Sequence, residues 1–191
     1  MSKDLYIISG CNGAGKTTAS YTVLPEILNC KEFVNADEIA KGLSPFNPES
    51  VAIEAGRLML KRIEYLLEIG ETFSIETTLA TKSYINLVRR AQAKGYSVKV
   101  LFFWLDSPEL ALQRVAERVA KGGHNIPEPV IRRRYVAGIS NLFNLFMNEV
   151  ERWDIYDNSK FPRRQIACGG IGVNTIVFNE SLFNQVKSYV K

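Results

Sequence analysis

The chain has 191 residues, 46% of them hydrophobic and 23% charged, and a net charge of +4. This composition is ordinary for one globular domain with a substantial core and excludes wholesale disorder. The longest apolar run, VLFFWL at 100–105, is far too short to span a bilayer, and the three cysteines lack metal-ligand spacing, so a reduced cytoplasmic compartment and no membrane association are expected. Strand-like and helix-like runs alternate without repeat, low-complexity tract or linker, which predicts a single domain over 1–191 with a mostly parallel α/β sheet flanked by helices. The expected strands are 5–9, 32–35, 72–76, 98–105 and, more weakly patterned, 153–157. Helices are expected after residue 17 in TASYTVLPEIL, from the Asn47-Pro48-Glu49 start to Gly70, from Ser107-Pro108-Glu109 to Gly122-Gly123, and from about 127–129 onward. Met59, Ile63, Leu66 and Leu67 form the buried stripe of the second helix. Ile139, Leu142, Phe143, Phe146 and Val150 do the same near the end of the fourth. The tail IACGGIGVNTIVF reads as a β-hairpin, followed by a closing helix, SLFNQVKSYVK.

The first strand runs straight into GCNGAGKTT at 10–18. Gly10, four residues, Gly15, Lys16 and Thr17 match the phosphate-loop frame GxxxxGK[ST] at every fixed position, in the strand-loop-helix setting that frame requires. Glycines let backbone N–H groups close on phosphate oxygens, Lys16 reaches the β- and γ-phosphates, and the Thr17 hydroxyl is placed for Mg²⁺. The helix after the loop turns its positive end toward the same anions. A Rossmann dinucleotide loop would have to put Thr18 where its third glycine belongs, and it gives Lys16 no role. The expected ligand is therefore ATP, or GTP, with Mg²⁺.

The excess positive charge lies between Arg114 and Arg134, where six basic residues face Glu117 and Glu128; the rest of the chain holds 18 basic and 18 acidic residues. A local anion site is expected there, not a nucleic-acid surface. Arg114 and Arg118, four apart on one helix, project from one face. With Gly122-Gly123 and Arg132, Arg133 and Arg134 beyond, the segment reads as helix, loop, helix: a mobile arginine-bearing lid over roughly 114–134, although a solvated face also accounts for Arg132–Arg134. His124, the only histidine, reads as a polar lid contact more readily than as a base. Three carboxylates stand at or just after the ends of expected strands. Asp37 is either a base for a substrate hydroxyl or the N-cap of the helix EIAKGL. Glu76 suits a sugar hydroxyl or water on Mg²⁺, and Asp106 either a Walker B aspartate or the start of the Ser107 helix.

Taken together, GCNGAGKTT, FVNADEIAKGLSP, GRLML, ETTLA, RVAERVAKGGHNIPEPVIRRRY and YDNS resemble the zeta-toxin family of P-loop kinases, in its short single-domain branch also labelled predicted ABC-type ATPases. The resemblance covers nearly the whole chain. It implies a P-loop NTPase fold with a helical lid, and transfer of the ATP γ-phosphate to the 3′-hydroxyl of UDP-N-acetylglucosamine or a related nucleotide sugar, with a possible antitoxin protein as partner. It further implies Gly10, Asn12, Gly13, Ala14, Gly15, Lys16, Thr17 and Thr18 as nucleotide contacts, with Thr17 on Mg²⁺ and Asp37 as catalytic base. Glu76 and Thr78 match the substrate-binding Glu-x-Thr, Arg118 or its neighbour Arg114 the arginine on the transferring phosphate, and one of Arg132, Arg133 and Arg134 a second lid arginine at the substrate. The chain departs from the toxins where they typically carry an arginine two residues past that threonine; here the residue is Ala80. Kinase of a small molecule, NTPase switch and nucleic-acid kinase are the three classes to separate. No LSGGQ-like signature supports the second, and the neutral remainder of the chain speaks against the third.

Overall fold

The computed structural model describes residues 3–26, 28–123 and 125–190. Seven strands form one sheet: β1 (Lys3–Gly10), β2 (Glu32–Val34), β3 (Phe73–Thr77), β4 (Tyr96–Trp104), β5 (Arg152–Asp157), β6 (Arg164–Gly170) and β7 (Val173–Val177). Their order is β2-β3-β1-β4-β5-β6-β7, parallel through β5 and antiparallel over the last two. The five expected strands are all present, each within about two residues of its expected ends, and β6–β7 is the expected hairpin. β1 lies at the centre, and every residue from Leu5 to Gly10 is buried, the continuous burial of a parallel strand covered on both faces. Gly10 ends it with φ +138, where an added Cβ would lie 2.1 Å from the Phe103 carbonyl oxygen of β4, so only glycine lets the loop leave the sheet here.

The helices are α1 (Lys16–Glu26), α2 (Ala36–Leu43), α3 (Ala52–Ile69), α4 (Tyr84–Ala93), α5 (Pro108–Ala120), α6 (Glu128–Asn141) and α7 (Glu180–Lys187). α1 ends one residue past Pro25, whose ring removes a helix N–H. α3 buries the expected stripe and ends at left-handed Gly70, φ 71. Its start differs from expectation. Pro48–Val51 forms a separate 3₁₀ turn, Asn47 makes no side-chain cap bond, and α3 begins only at Ala52. α5 starts where expected, the Ser107 hydroxyl accepting the Leu110 N–H at 3.2 Å. α6 continues into a π-helical turn at Leu142–Phe146, which with Ile139 and Val150 is anchored in the core. α4 is the element that sequence patterning did not announce. Its buried side, Leu87, Val88 and Ala91, is short, and Ser83 offers no cap bond. No described helix is long and apolar enough to cross a membrane.

Candidate active site

The turn from β1 leads into Lys16, the first residue of α1, whose side chain is almost fully buried. Its Nζ donates to the Cys11 carbonyl at 3.0 Å and lies 3.7 Å from Glu76 Oε1. The Thr17 hydroxyl donates to Glu76 Oε2 at 2.8 Å, and Asn35 Nδ2 donates to the same oxygen at 3.0 Å. The end of β3 is thus tied to the first turn of α1 and to the exit of β2. Burial pushes the Glu76 carboxyl above its ordinary range. Lys16 and the Thr17 hydrogen bond pull it down, and Asp37 and Glu38 push it up again.

Asp37 stands in the first turn of α2 but does not cap it. The cap is Asn35, whose Oδ1 accepts the Asp37 N–H at 2.8 Å. Asp37 lines a cleft of about 460 Å³ together with Asn12, Gly13, Gly15, Lys16, Thr17, Thr18, Glu76, Arg114 and Arg118. One wall is phosphate loop and α5; the other is α2 and the 3₁₀ turn, which contribute Asp37, Glu38, Lys41 and Glu49. Gly10 and Ala14 lie behind the lining, both buried.

The two α5 arginines share the cleft but lie in different surroundings. Arg114 donates to the carbonyls of Asn158 and Ser159 at 2.9 and 2.8 Å, while Asn158 Nδ2 donates to the Ala14 carbonyl at 2.7 Å. Arg114 therefore braces the loop after β5, and that loop braces the phosphate loop. Arg118 lies on the exposed side of α5 beside Gly123. Of the arginines on α6, Arg134 reaches Asn12 Oδ1 at 3.4 Å. Arg132 is held by Glu109 and Glu128 at 2.7 and 2.8 Å, and Arg133 is exposed. None of these three lines the cleft, and neither does Thr78, whose carbonyl packs against Gly138 of α6. The expectation for His124 falls outside the described residues.

Asp106 is not the carboxylate at Thr17. Its backbone N–H donates to Ser159 Oγ and its Oδ1 accepts the Ser107 hydroxyl, both at the start of α5. Glu76 occupies the place that the Walker B reading gave to Asp106. A threonine hydroxyl and a carboxylate side by side are the hard-oxygen pair that Mg²⁺ takes together with phosphate oxygens. Among the described residues no group of three or more His, Cys, Asp or Glu could hold a metal ion.

The family model described as Zeta toxin matches residues 1–160. The chain belongs to the zeta toxin family. It is 29% identical over 126 residues to an uncharacterized protein of Haemophilus influenzae, a match covering 66% of this chain and 88% of that protein. In fold it is similar to a chain in the crystal structure of the AvrRxo1-ORF1:AvrRxo1-ORF2 pair with sulphate ions, with a TM-score of 0.79 and 19% identity over 98% of this chain. The match spans 64% of that longer chain. The chromosomal PezAT toxin-antitoxin system of Streptococcus pneumoniae gives a TM-score of 0.69 at 18% identity, covering 99% of this chain and 78% of that one. At these identities the likeness to the two structures concerns the fold.

Two residues that support this zeta-family cleft from behind its lining escaped sequence reasoning as site residues: Asn35 and Asn158. Asn35 had a local signal, an asparagine at a strand exit just before an acidic first turn. Asn158 lies in the YDNS motif of the family resemblance, but its contact was not legible because its partner Ala14 lies 144 positions away.

Proposed function

We propose that the chain is an ATP-dependent phosphotransferase that moves the γ-phosphate to a hydroxyl of a small molecule. The observation that carries this reading is the Lys16–Glu76–Thr17 cluster facing Asp37 across one cleft. Phosphoryl transfer needs positioned charge more than covalent chemistry, and each part has a role in it. Phosphate-loop N–H groups and Lys16 hold the β- and γ-phosphates, and Thr17 and Glu76 are the groups that would hold Mg²⁺. When bound, that ion neutralises charge on the phosphates. Asp37 accepts the proton of the substrate hydroxyl as its oxygen attacks the γ-phosphorus, and the bond from that phosphorus to the departing ADP breaks. Arg118 and Arg134 approach the phosphates from the lid side, with Arg114 bracing the loop beneath. A likeness in fold supports nucleotide binding: the AvrRxo1-ORF1:-ORF2 pair is also known in a crystal structure with ATP.

The family resemblance makes the 3′-hydroxyl of UDP-N-acetylglucosamine, or of a related nucleotide sugar, the first acceptor to test. Ala80, in place of the toxins' arginine, favours a second reading in which the acceptor is another hydroxyl-bearing metabolite or antibiotic. An antitoxin-like partner is proposed from the likeness to PezAT, described as a toxin-antitoxin system. The test is incubation with γ-labelled ATP and a panel of nucleotide sugars and other hydroxyl compounds. Label should enter one acceptor, and Lys16→Ala should lower that transfer by on the order of 10²–10³ or more. Release of phosphate alone with every acceptor would leave an NTPase switch, and wild-type transfer by Lys16→Ala would sink the phosphate-loop reading.

A further inference from the structure

Asn35 lies behind the cleft, 5% exposed, at the junction of β2 and α2. Both ends of its amide are occupied. Oδ1 accepts the Asp37 backbone N–H at 2.8 Å, and Nδ2 donates to Glu76 Oε2 at 3.0 Å. The partners fix the amide's orientation, since a carboxylate only accepts and a backbone N–H only donates. One bond starts the helix that carries Asp37. The other holds the carboxylate that takes the Thr17 hydroxyl.

Resting on the phosphotransferase reading, we infer that Asn35 is a positioning residue of the reaction, one buried amide that sets the separation between the base-bearing turn of α2 and the carboxylate at the end of β3. Capping alone does not require asparagine, because serine, threonine and aspartate cap comparably. The second bond does. Serine and threonine must accept and donate at one oxygen, whereas asparagine carries its acceptor for the helix N–H and its donor for a carboxylate on two separate atoms, Oδ1 and Nδ2, that reach in different directions. Charge gives the same answer. Glu76 is faced by Lys16 and Thr17 from α1, and by Asp37 and Glu38 from α2. Asn35 supplies a neutral donor on the side where the other neighbours are acids, so α2 closes on β3 without a further carboxylate against Glu76.

Two measurements test this. Asn35→Ser keeps a cap and removes the amide donor to Glu76, because the shorter side chain has one oxygen and spends it on the cap. Its turnover of MgATP should fall roughly 10–100-fold, the usual cost of losing an outer hydrogen bond to a metal-side group. Binding of ATP without metal should stay within about twofold, because that contact does not involve Glu76. Wild-type turnover in Asn35→Ser would reduce Asn35 to a cap and overturn the inference. The second measurement needs neither acceptor nor nucleotide. Asn35→Asp keeps the cap but sets a carboxylate against Glu76, and thermal unfolding of the apo chain should drop by roughly 5 °C. In a Glu76→Gln background the amide and carboxylate have exchanged places, and Asn35→Asp should cost far less. Equal drops in both backgrounds would overturn the inference. If neither chain carrying Asn35→Asp folds, the Asn35→Ser turnover decides. A wild-type chain that transfers no phosphate would remove the phosphotransferase reading, while the unfolding cycle would still decide whether Asn35 ties α2 to Glu76.

Discussion

The Thr17 hydroxyl and the Glu76 carboxylate are 2.8 Å apart although 59 positions separate them, and this bond joins the phosphate loop to the end of β3. Glu76 is only 10% exposed and sits where its charged form is disfavoured by burial. Its folded pKa therefore lies above the unfolded one. Its contribution to stability is complete below the unfolded value and is lost as pH rises through the folded value. Glu76→Gln mimics the protonated acid, so the variant should match wild type near pH 4 and be the more stable of the two at pH 8. Transfer from MgATP should fall by roughly 10²–10³ in the same variant. Urea midpoints across that range, beside single-turnover kinetics, check both halves. A variant less stable than wild type at pH 8 would mean that the Lys16 pair outweighs burial.

Arg114 and Arg118 should separate kinetically, because Arg114 is committed to the Asn158 and Ser159 carbonyls beneath the phosphate loop whereas Arg118 lies on the exposed side of α5. Arg118→Lys and Arg118→Ala should each lower turnover by about 10³-fold with a much smaller loss of ATP affinity, since lysine cannot supply the bidentate contact. Arg114→Ala releases Asn158 and Ser159 and, through Asn158, the Ala14 carbonyl. Its main effect should be weaker ATP binding. Calorimetric ATP affinity measured beside turnover checks the split, and parallel losses in both variants would refute it.

Gly138→Ala should damage the substrate side from a distance. A Cβ there would lie 2.5 Å from the Thr78 carbonyl oxygen, so α6 and the turn after β3 must move apart. That turn is already strained: buried Leu79 has φ 58, with its carbonyl held by Asn141 Nδ2 at 2.8 Å. A loss of about 1–3 kcal/mol is expected by urea denaturation, together with reduced turnover. Unchanged stability would mean that the two backbones adjust freely.

Cys11 should give the chain an alkaline limb. Burial pushes its thiol from the ordinary 9.0 up to about 11, against the opposing pull of Lys16 and Arg114. A group with a raised folded pKa contributes stability that is whole below its unfolded value and lost as pH climbs through the folded one. Stability should therefore decline between pH 9 and 11, by about 3 kcal/mol at most. Cys11→Ala should flatten that limb when urea midpoints of the two chains are compared from pH 8 to 11. Identical slopes would show that other groups control it.

What could be read from the sequence was what depends on near neighbours. The phosphate loop was legible because strand, glycines, Lys16 and Thr17 act within a dozen residues, and the backbone conformation they need is local. The core strands and the α5 cap were legible for the same reason: a hydrophobic run or a Ser-Pro-Glu start declares itself without a partner. α4 went unread because its buried face is three residues deep and uncapped, too little pattern to stand out. The Asn47-Pro48-Glu49 start does not open α3 because a 3₁₀ turn at Pro48–Val51 intervenes before it.

Tertiary structure alone decided which charge meets which. Nothing local pairs Glu76 with Lys16, gives the cap of α2 to Asn35, or turns Arg114 toward carbonyls 44 and 45 positions later. Parallel strands separated by whole helices bring those groups to one edge of the sheet. A buried carboxylate or guanidinium then takes whatever partner that edge provides, because going without one costs more than any local preference can offset.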